Sequence, residues 1–214
     1  MSAMETNRKR ILFLTKFSIL LAIEAIVCFT PLGSIPVGPI VATLMMIPVI
    51  ITAIMLGTRA GALMGFIAGL FSFIVWTFMP PSPIAAFVFT PFYSIGETSG
   101  NFFSLLICFA PRILTGVVTG LSLRALVKLY PKKSFKTPFL YAISGCLGSL
   151  TNTVLVLGGI YAFFGRDYAG AMGISYNLLL GAIGISVLTN GIPEAVVSTL
   201  AAYFVCSTKK AGLC

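Results

Sequence analysis

The chain contains no histidine and only five acidic residues among 214. Without an imidazole there is no Ser-His-Asp triad, no HExxH zinc site and no axial histidine for a haem. The five acids, Glu5, Glu24, Glu97, Asp167 and Glu194, are too scattered to form a catalytic carboxylate dyad. No GxxxxGK[ST] stretch is present, so the chain lacks the usual phosphate loop for ATP. Work done on a solute must then draw its energy from a partner or an ion. Five cysteines, Cys28, Cys108, Cys146, Cys206 and Cys214, show no CxxC spacing, and four fall within apolar runs. They read as small buried apolar residues, not as disulfides or metal ligands. Nothing in this inventory argues for an enzyme, and no cofactor or metal is expected in this chain.

Charge is equally scarce. Only 9% of residues are charged and 58% are hydrophobic, against about a quarter charged in a soluble domain. Residues 43–58 and 61–93 contain no charge at all, as expected of helices that cross a bilayer. The composition predicts one all-α integral membrane domain over residues 1–214, with six spans at about 11–29, 40–57, 61–79, 102–126, 138–163 and 176–206. An uncleaved first helix is expected, because no small-x-small cleavage pattern follows it.

The net charge of +9 is distributed to match these spans. Twelve of the fourteen basic residues fall on one side or within reach of it; only Arg112 and Arg166 lie toward the other. This bias predicts that both termini are cytoplasmic. The charge is a topology signal, not a nucleic-acid footprint, and no nucleic-acid partner is expected.

Small residues organise several segments. Ser18, Ala22 and Ala25 share one face of the first helix, which would let another helix of this chain or of a partner approach closely. Gly61, Gly65 and Gly69, and again Gly116 and Gly120, repeat every four residues and read as packing seams. The proline-broken stretch FTPLGSIPVGP, residues 29–39, is too short to span and too apolar for a free aqueous loop. It is expected to form a re-entrant or lid-like connection packed against protein. Gly33 and Gly38 would there let backbone N–H groups approach a small ligand. Pro48 is expected to kink the second helix. A second proline-broken, aromatic stretch, residues 80–101, either folds back over the bundle mouth or anchors at the interface, where Trp76 and Tyr93 would suit an aromatic belt.

A few polar groups inside apolar spans call for partners. Asn152 lies in GSLTNTVLV. Ser186, Asn190 and Glu194 recur every four residues and share one helix face. Pro193 has no N–H for the Thr189 carbonyl and Gly191 weakens the same turn, so a bent helix is expected there. Bent helices at membrane depth line cavities in many transporters. Arg112 either snorkels to headgroups or faces a cavity as the counter-charge of an anion. Glu24 sits near mid-span, where a carboxylate rarely faces lipid.

Taken together, FTPLGSIPVGPIVATLMMIPVIITAIMLG, LTNTVLVLGGIY and NGIPEAVV resemble the substrate-binding S components of energy-coupling-factor (ECF) vitamin transporters, most closely the pantothenate-type branch. The resemblance covers nearly the whole chain. It implies the riboflavin-transporter-like six-helix bundle, a prokaryotic cell-membrane location and a non-enzymatic role: capture of a vitamin from outside. It also implies docking on a membrane T component coupled to two cytoplasmic ATPase subunits, which use the ATP. The docking motif maps onto Ser18 and Ala22, with Ser18 replacing one of the usual alanines, and Ala25 continues the face. The family's pocket maps onto residues 33–39, with Gly33, Pro36 and Gly38, and onto Asn152 and Asn190. Glu194 and Arg112 are further candidates. An anionic ligand would need Arg112, a helix N-terminus or a protonated Glu194; a cationic one would pair with Glu194. Alternatives to pantothenate are riboflavin or a cationic modified-base precursor, and from another class a small proton-coupled transporter using Glu24 or Glu194.

Overall fold

The computed structural model describes residues 3–33, 35–37, 40–42, 44–96, 98–130 and 137–207. It is a helical bundle. Helix α1, Ala3–Phe29, is followed by a 3-10 turn at Pro31–Gly33 and a short hairpin, β1 (Ile35–Val37) paired antiparallel with β2 (Ile40–Ala42). Then come α2 (Met46–Leu56), α3 (Thr58–Phe78) and the short α4 (Pro83–Phe89). A two-residue ladder, β3 (Ser94–Ile95) with β4 (Thr98–Ser99), leads into α5 (Phe102–Leu129) and α6 (Thr137–Ala171). Helices α7 (Tyr176–Ser186) and α8 (Ile192–Ser207) are joined through a π-helical turn at Val187–Gly191.

Five helical segments are long and apolar enough to cross a membrane: Glu5–Phe29, Thr58–Phe78, Phe102–Leu129, Pro138–Ala171 and Tyr176–Val205. The expected second span differs. Its helix begins at Met46, not at residue 40, because Ile40–Ala42 pair with β1. Eleven residues give only about 16 Å of helix. This short helix is instead central to the bundle, with eight of its residues buried from Met46 to Ile54. Pro48 does not kink it. The residue lies in the first helical turn, where its missing N–H would have had no intrahelical partner. A single glycine, Gly57 with φ of +96°, joins α2 to α3. Its positive φ reverses the chain at a position where side chains are strained.

The α3–α5 contact follows from the glycine rows. A Cβ on Gly61 would meet Ala53 and the Gly116 carbonyl, and one on Gly116 would strike the backbone of Gly61. Gly65 packs on the backbone of Arg112 and Ile113, and Gly120 on Thr58. The two helices thus touch backbone to backbone, the arrangement in which small residues drive association in lipid.

Helix α1 is peripheral. Its long apolar side chains, such as Ile11, Ile19 and Ile26, are exposed, while Glu24 and Cys28 are buried one turn apart on its inner face. Ser18 and Ala22 are exposed and Ala25 is half-buried.

The stretch at residues 80–101 folds back into the bundle. Residues Ala85–Thr90 of this segment are all buried. Ser104 at the start of α5 donates to the Phe87 carbonyl at 2.7 Å, and Thr77 pairs with Thr90 at 2.8 Å. Asn101 caps α5 in a reciprocal box, accepting from the Phe103 N–H while the Asn101 N–H donates to Ser104 Oγ. These bonds fix α4 against both α3 and α5. Trp76 is accordingly no interfacial anchor: it is buried and stacks on Phe89 with ring centroids 4.6 Å apart.

Candidate functional site

The hydrophobic cluster built by α3, α4, α5, α6 and α7 borders a cavity. Trp76 from α3, Ala85 and Phe89 from α4, and Val156, Leu157, Ile160 and Tyr168 from α6 give it an apolar and aromatic wall. Its polar groups are few: Arg112 from α5, Asn152 and Thr153 from α6, Ser186 from α7, Asn190 from the π turn and Glu194 from α8. A mostly apolar cavity with a small number of convergent polar groups is the usual form of a small-molecule site.

Arg112 is 2% exposed, and a proline sets its geometry. Pro111 lacks the N–H that would bond the Ile107 carbonyl one turn back. The guanidinium of the neighbouring Arg112 fills that place, Nη1 donating to Ile107 O at 2.9 Å. Nη2 reaches Ser72 Oγ at 3.5 Å on α3, and the guanidinium carbon lies 5.2 Å from the centre of the Phe89 ring. Nε has no hydrogen-bond partner among the described residues. Of the two sequence-based alternatives for this residue, snorkelling to the surface is overturned by its burial; it stands in the cavity wall.

The two asparagines carry the same signature. Asn152 and Asn190 are each 5% exposed. Asn152 Oδ1, and both Oδ1 and Nδ2 of Asn190, have no hydrogen-bond partner among the described residues. A buried amide group without partners costs about 1–3 kcal/mol, so these side chains are held there against the stability of the ligand-free bundle.

The π turn positions Asn190. Where an uninterrupted α-helix was broken by Gly191 and Pro193, the chain widens by one residue, and the Ile192 N–H bonds Val187 O five residues back. Such π turns recur at functional sites. Gly191 lets this turn press on α6, since a Cβ there would lie 2.8 Å from Thr153 Cγ2. Ser186 and Thr153 satisfy their own hydroxyls on the Ala182 and Ser149 carbonyls. Glu194, 8% exposed, lines the same cavity as Arg112.

Of the residues expected from sequence, the structure brings Arg112, Asn152, Asn190 and Glu194 into one cavity. Gly33 lies elsewhere, in the 3-10 turn against the end of α1, where a Cβ would strike the Val27 carbonyl. Pro36 belongs to β1, and Gly38 is outside the described residues. The hairpin nonetheless adjoins the site, because β2 packs beside the π turn that carries Asn190. Ser18, Ala22 and Ala25 are remote from the cavity, on α1.

Sequence reasoning missed the α3–α4 wall. The available signal was the four-residue spacing of Ala85 and Phe89 after a proline at a helix start, which places both on one helical face.

Comparison with known proteins agrees with this architecture. The family model for the ECF transporter, substrate-specific component, matches residues 12–206. The pantothenic acid transporter PanT of Lactococcus lactis subsp. cremoris (strain MG1363) is 36% identical over 163 residues, 76% of this chain and 74% of that protein. With a match running from the first helix to the last, and a relative of this similarity, the chain belongs to the family of substrate-specific components of ECF transporters.

Proposed function

We propose that this S component captures pantothenate from outside the cell and delivers it through an ATP-driven importer. The observation that carries the reading is one buried guanidinium in an apolar cavity together with two buried asparagines that each leave amide atoms without a partner. Pantothenate offers a carboxylate, a secondary amide, two hydroxyls and a geminal dimethyl group. Arg112 suits the carboxylate, Asn152 and Asn190 the amide and hydroxyls, and Trp76, Phe89 and Leu157 the dimethyl end. The name of the Lactococcus relative supports the same substrate.

In the full assembly the short α2 counts as the second of six transmembrane segments, its reach completed by the β1–β2 hairpin, and both termini are cytoplasmic. The hairpin that carries Pro36 would cover the mouth beside the π turn. Ser18, Ala22 and Ala25 would dock on the T component, and two ATPase subunits would supply the energy.

Calorimetric titration of the purified protein with pantothenate tests the proposal, with thiamin and riboflavin as comparison ligands. Saturable pantothenate binding is expected. Because Glu194 also lines the cavity, preference for a cationic compound over pantothenate would instead establish the alternative class of ligand.

A further inference from the structure

Pro111 is buried inside α5, well away from either end of a 28-residue helix. Proline is the least favourable residue at such a position, since it removes one backbone hydrogen bond and crowds the preceding turn. Here a side chain takes up the bond that the backbone gives away. The Ile107 carbonyl, which the N–H of an ordinary residue 111 would occupy, accepts instead from Nη1 of Arg112 at 2.9 Å. Long helical side chains lie back over the preceding turn, so the residue after the proline is well placed to supply that donor. The backbone around it has little freedom. A Cβ on Gly65 of α3 would strike the Arg112 carbonyl, and Thr115 Oγ1 donates to the Pro111 carbonyl at 2.8 Å. What can vary is the course of the Arg112 side chain. Of the contacts that hold its head, the bond to Ser72 Oγ is long, at 3.5 Å, and Phe89 offers only the face of a ring. The short bond to Ile107 O is the one with the geometry to fix the guanidinium in the cavity wall.

We propose that Pro111 is a positioning residue for anion capture: by withholding an N–H it reserves the Ile107 carbonyl for Arg112, which is thereby held ready for the ligand carboxylate. Any other residue at 111 would bring an N–H to the same carbonyl. The carbonyl has two lone pairs and can accept twice, but a shared acceptor binds each donor less firmly. The guanidinium would then spend part of its time away from the wall, and an anion would have to order it again on binding. The inference rests on the pantothenate reading and concerns how firmly the site grips a carboxylate.

A double-mutant cycle on the full chain tests this, with calorimetric titration of Pro111→Ala, Arg112→Gln and the double variant with pantothenate. Pro111→Ala should lower pantothenate affinity by about tenfold through loss of orientation. In the Arg112→Gln background the same change should alter affinity by less than about twofold, because the group it positions is gone. The alcohol analogue of pantothenate, which lacks the carboxylate, supplies the same contrast within one protein: Pro111→Ala should leave its affinity unchanged. Unaltered pantothenate affinity in Pro111→Ala would overturn the proposal. So would an equal loss in both Arg112 backgrounds, or an equal loss for acid and alcohol, since either marks a general distortion of α5. Should Pro111→Ala fail to fold, Pro111→Ser brings the same N–H and is judged by the same outcomes. Absence of pantothenate binding in the unmodified protein is a separate result, which removes the substrate reading and this inference together.

Discussion

The guanidinium of Arg112 lies over the ring of Phe89, 5.2 Å from its centre, although the two residues belong to different helices, α5 and α4. The ring holds the cation from one face while Ile107 O and Ser72 Oγ accept from its nitrogens. A cation held on three sides still has unused N–H donors, Nε among them, to offer an anion.

Replacing Arg112 by Gln should therefore lower pantothenate affinity by roughly 100-fold, since a charge-assisted hydrogen bond contributes about 1.5–3 kcal/mol. Phe89→Leu keeps an apolar side chain in the wall but removes the ring beneath the cation, and should cost roughly 2- to 10-fold. Calorimetry of the two variants measures both.

Asn152→Leu and Asn190→Leu should each weaken binding by at least about tenfold while the protein still inserts and folds. Thermal unfolding of the ligand-free protein should show a second effect. Asn190→Leu, which removes two unpartnered buried polar atoms, should leave stability unchanged or raise it by about 1 kcal/mol. A stability loss without a loss of affinity would assign the asparagine to packing.

Gly191→Ala should push the π turn away from Thr153, because the added Cβ would lie 2.8 Å from Cγ2. Affinity should fall by about tenfold through displacement of Asn190. Gly184→Ala, where a Cβ meets nothing within 4 Å, serves as the control and should stabilise the helix by about 0.4–1 kcal/mol.

Gly116→Val would drive a side chain into the backbone of Gly61. The expected result is loss of more than about 3 kcal/mol or failure to fold, as for an overpacked core. Yield and thermal unfolding in detergent report it, with Gly158→Ala, which meets open space, as the tolerated counterpart.

Ala22→Leu should leave pantothenate binding intact and abolish ATP-dependent uptake once the chain is reconstituted with its T component and ATPases. The substitution fills an exposed small-residue face far from the cavity. Equal uptake by the variant and the unmodified protein would remove α1 from the docking surface.

The sequence made the membrane class and most helices legible because each follows from local composition. The charge-free runs, the glycine rows and the proline at position 193 act over one or two turns. Elements that depend on distant partners were harder to see. Residues 40–42 read as the start of a helix because they are apolar, yet pairing with residues 35–37 drew them into a hairpin. Trp76 read as an interfacial anchor because tryptophan often is one, yet α4 folds back and covers it. Arg112 had two open fates in sequence, and only the packing of α3, α4 and α5 around it decided between them.

What the sequence by itself determined is the kind of molecule: an apolar helical chain with a bias of charge, without catalytic or nucleotide-binding motifs, and with a few polar residues too costly to bury without purpose. What the tertiary structure decided is which of those polar residues meet. Asn152, Asn190, Glu194 and Arg112 lie on three separate helices and one π turn, and up to 82 residues separate them along the chain. Helical periodicity fixes the face on which a residue stands, because that is set within a turn. Which faces come together depends on how glycine seams, a proline-freed carbonyl and a folded-back helix pack, and those contacts exist only once the bundle has closed.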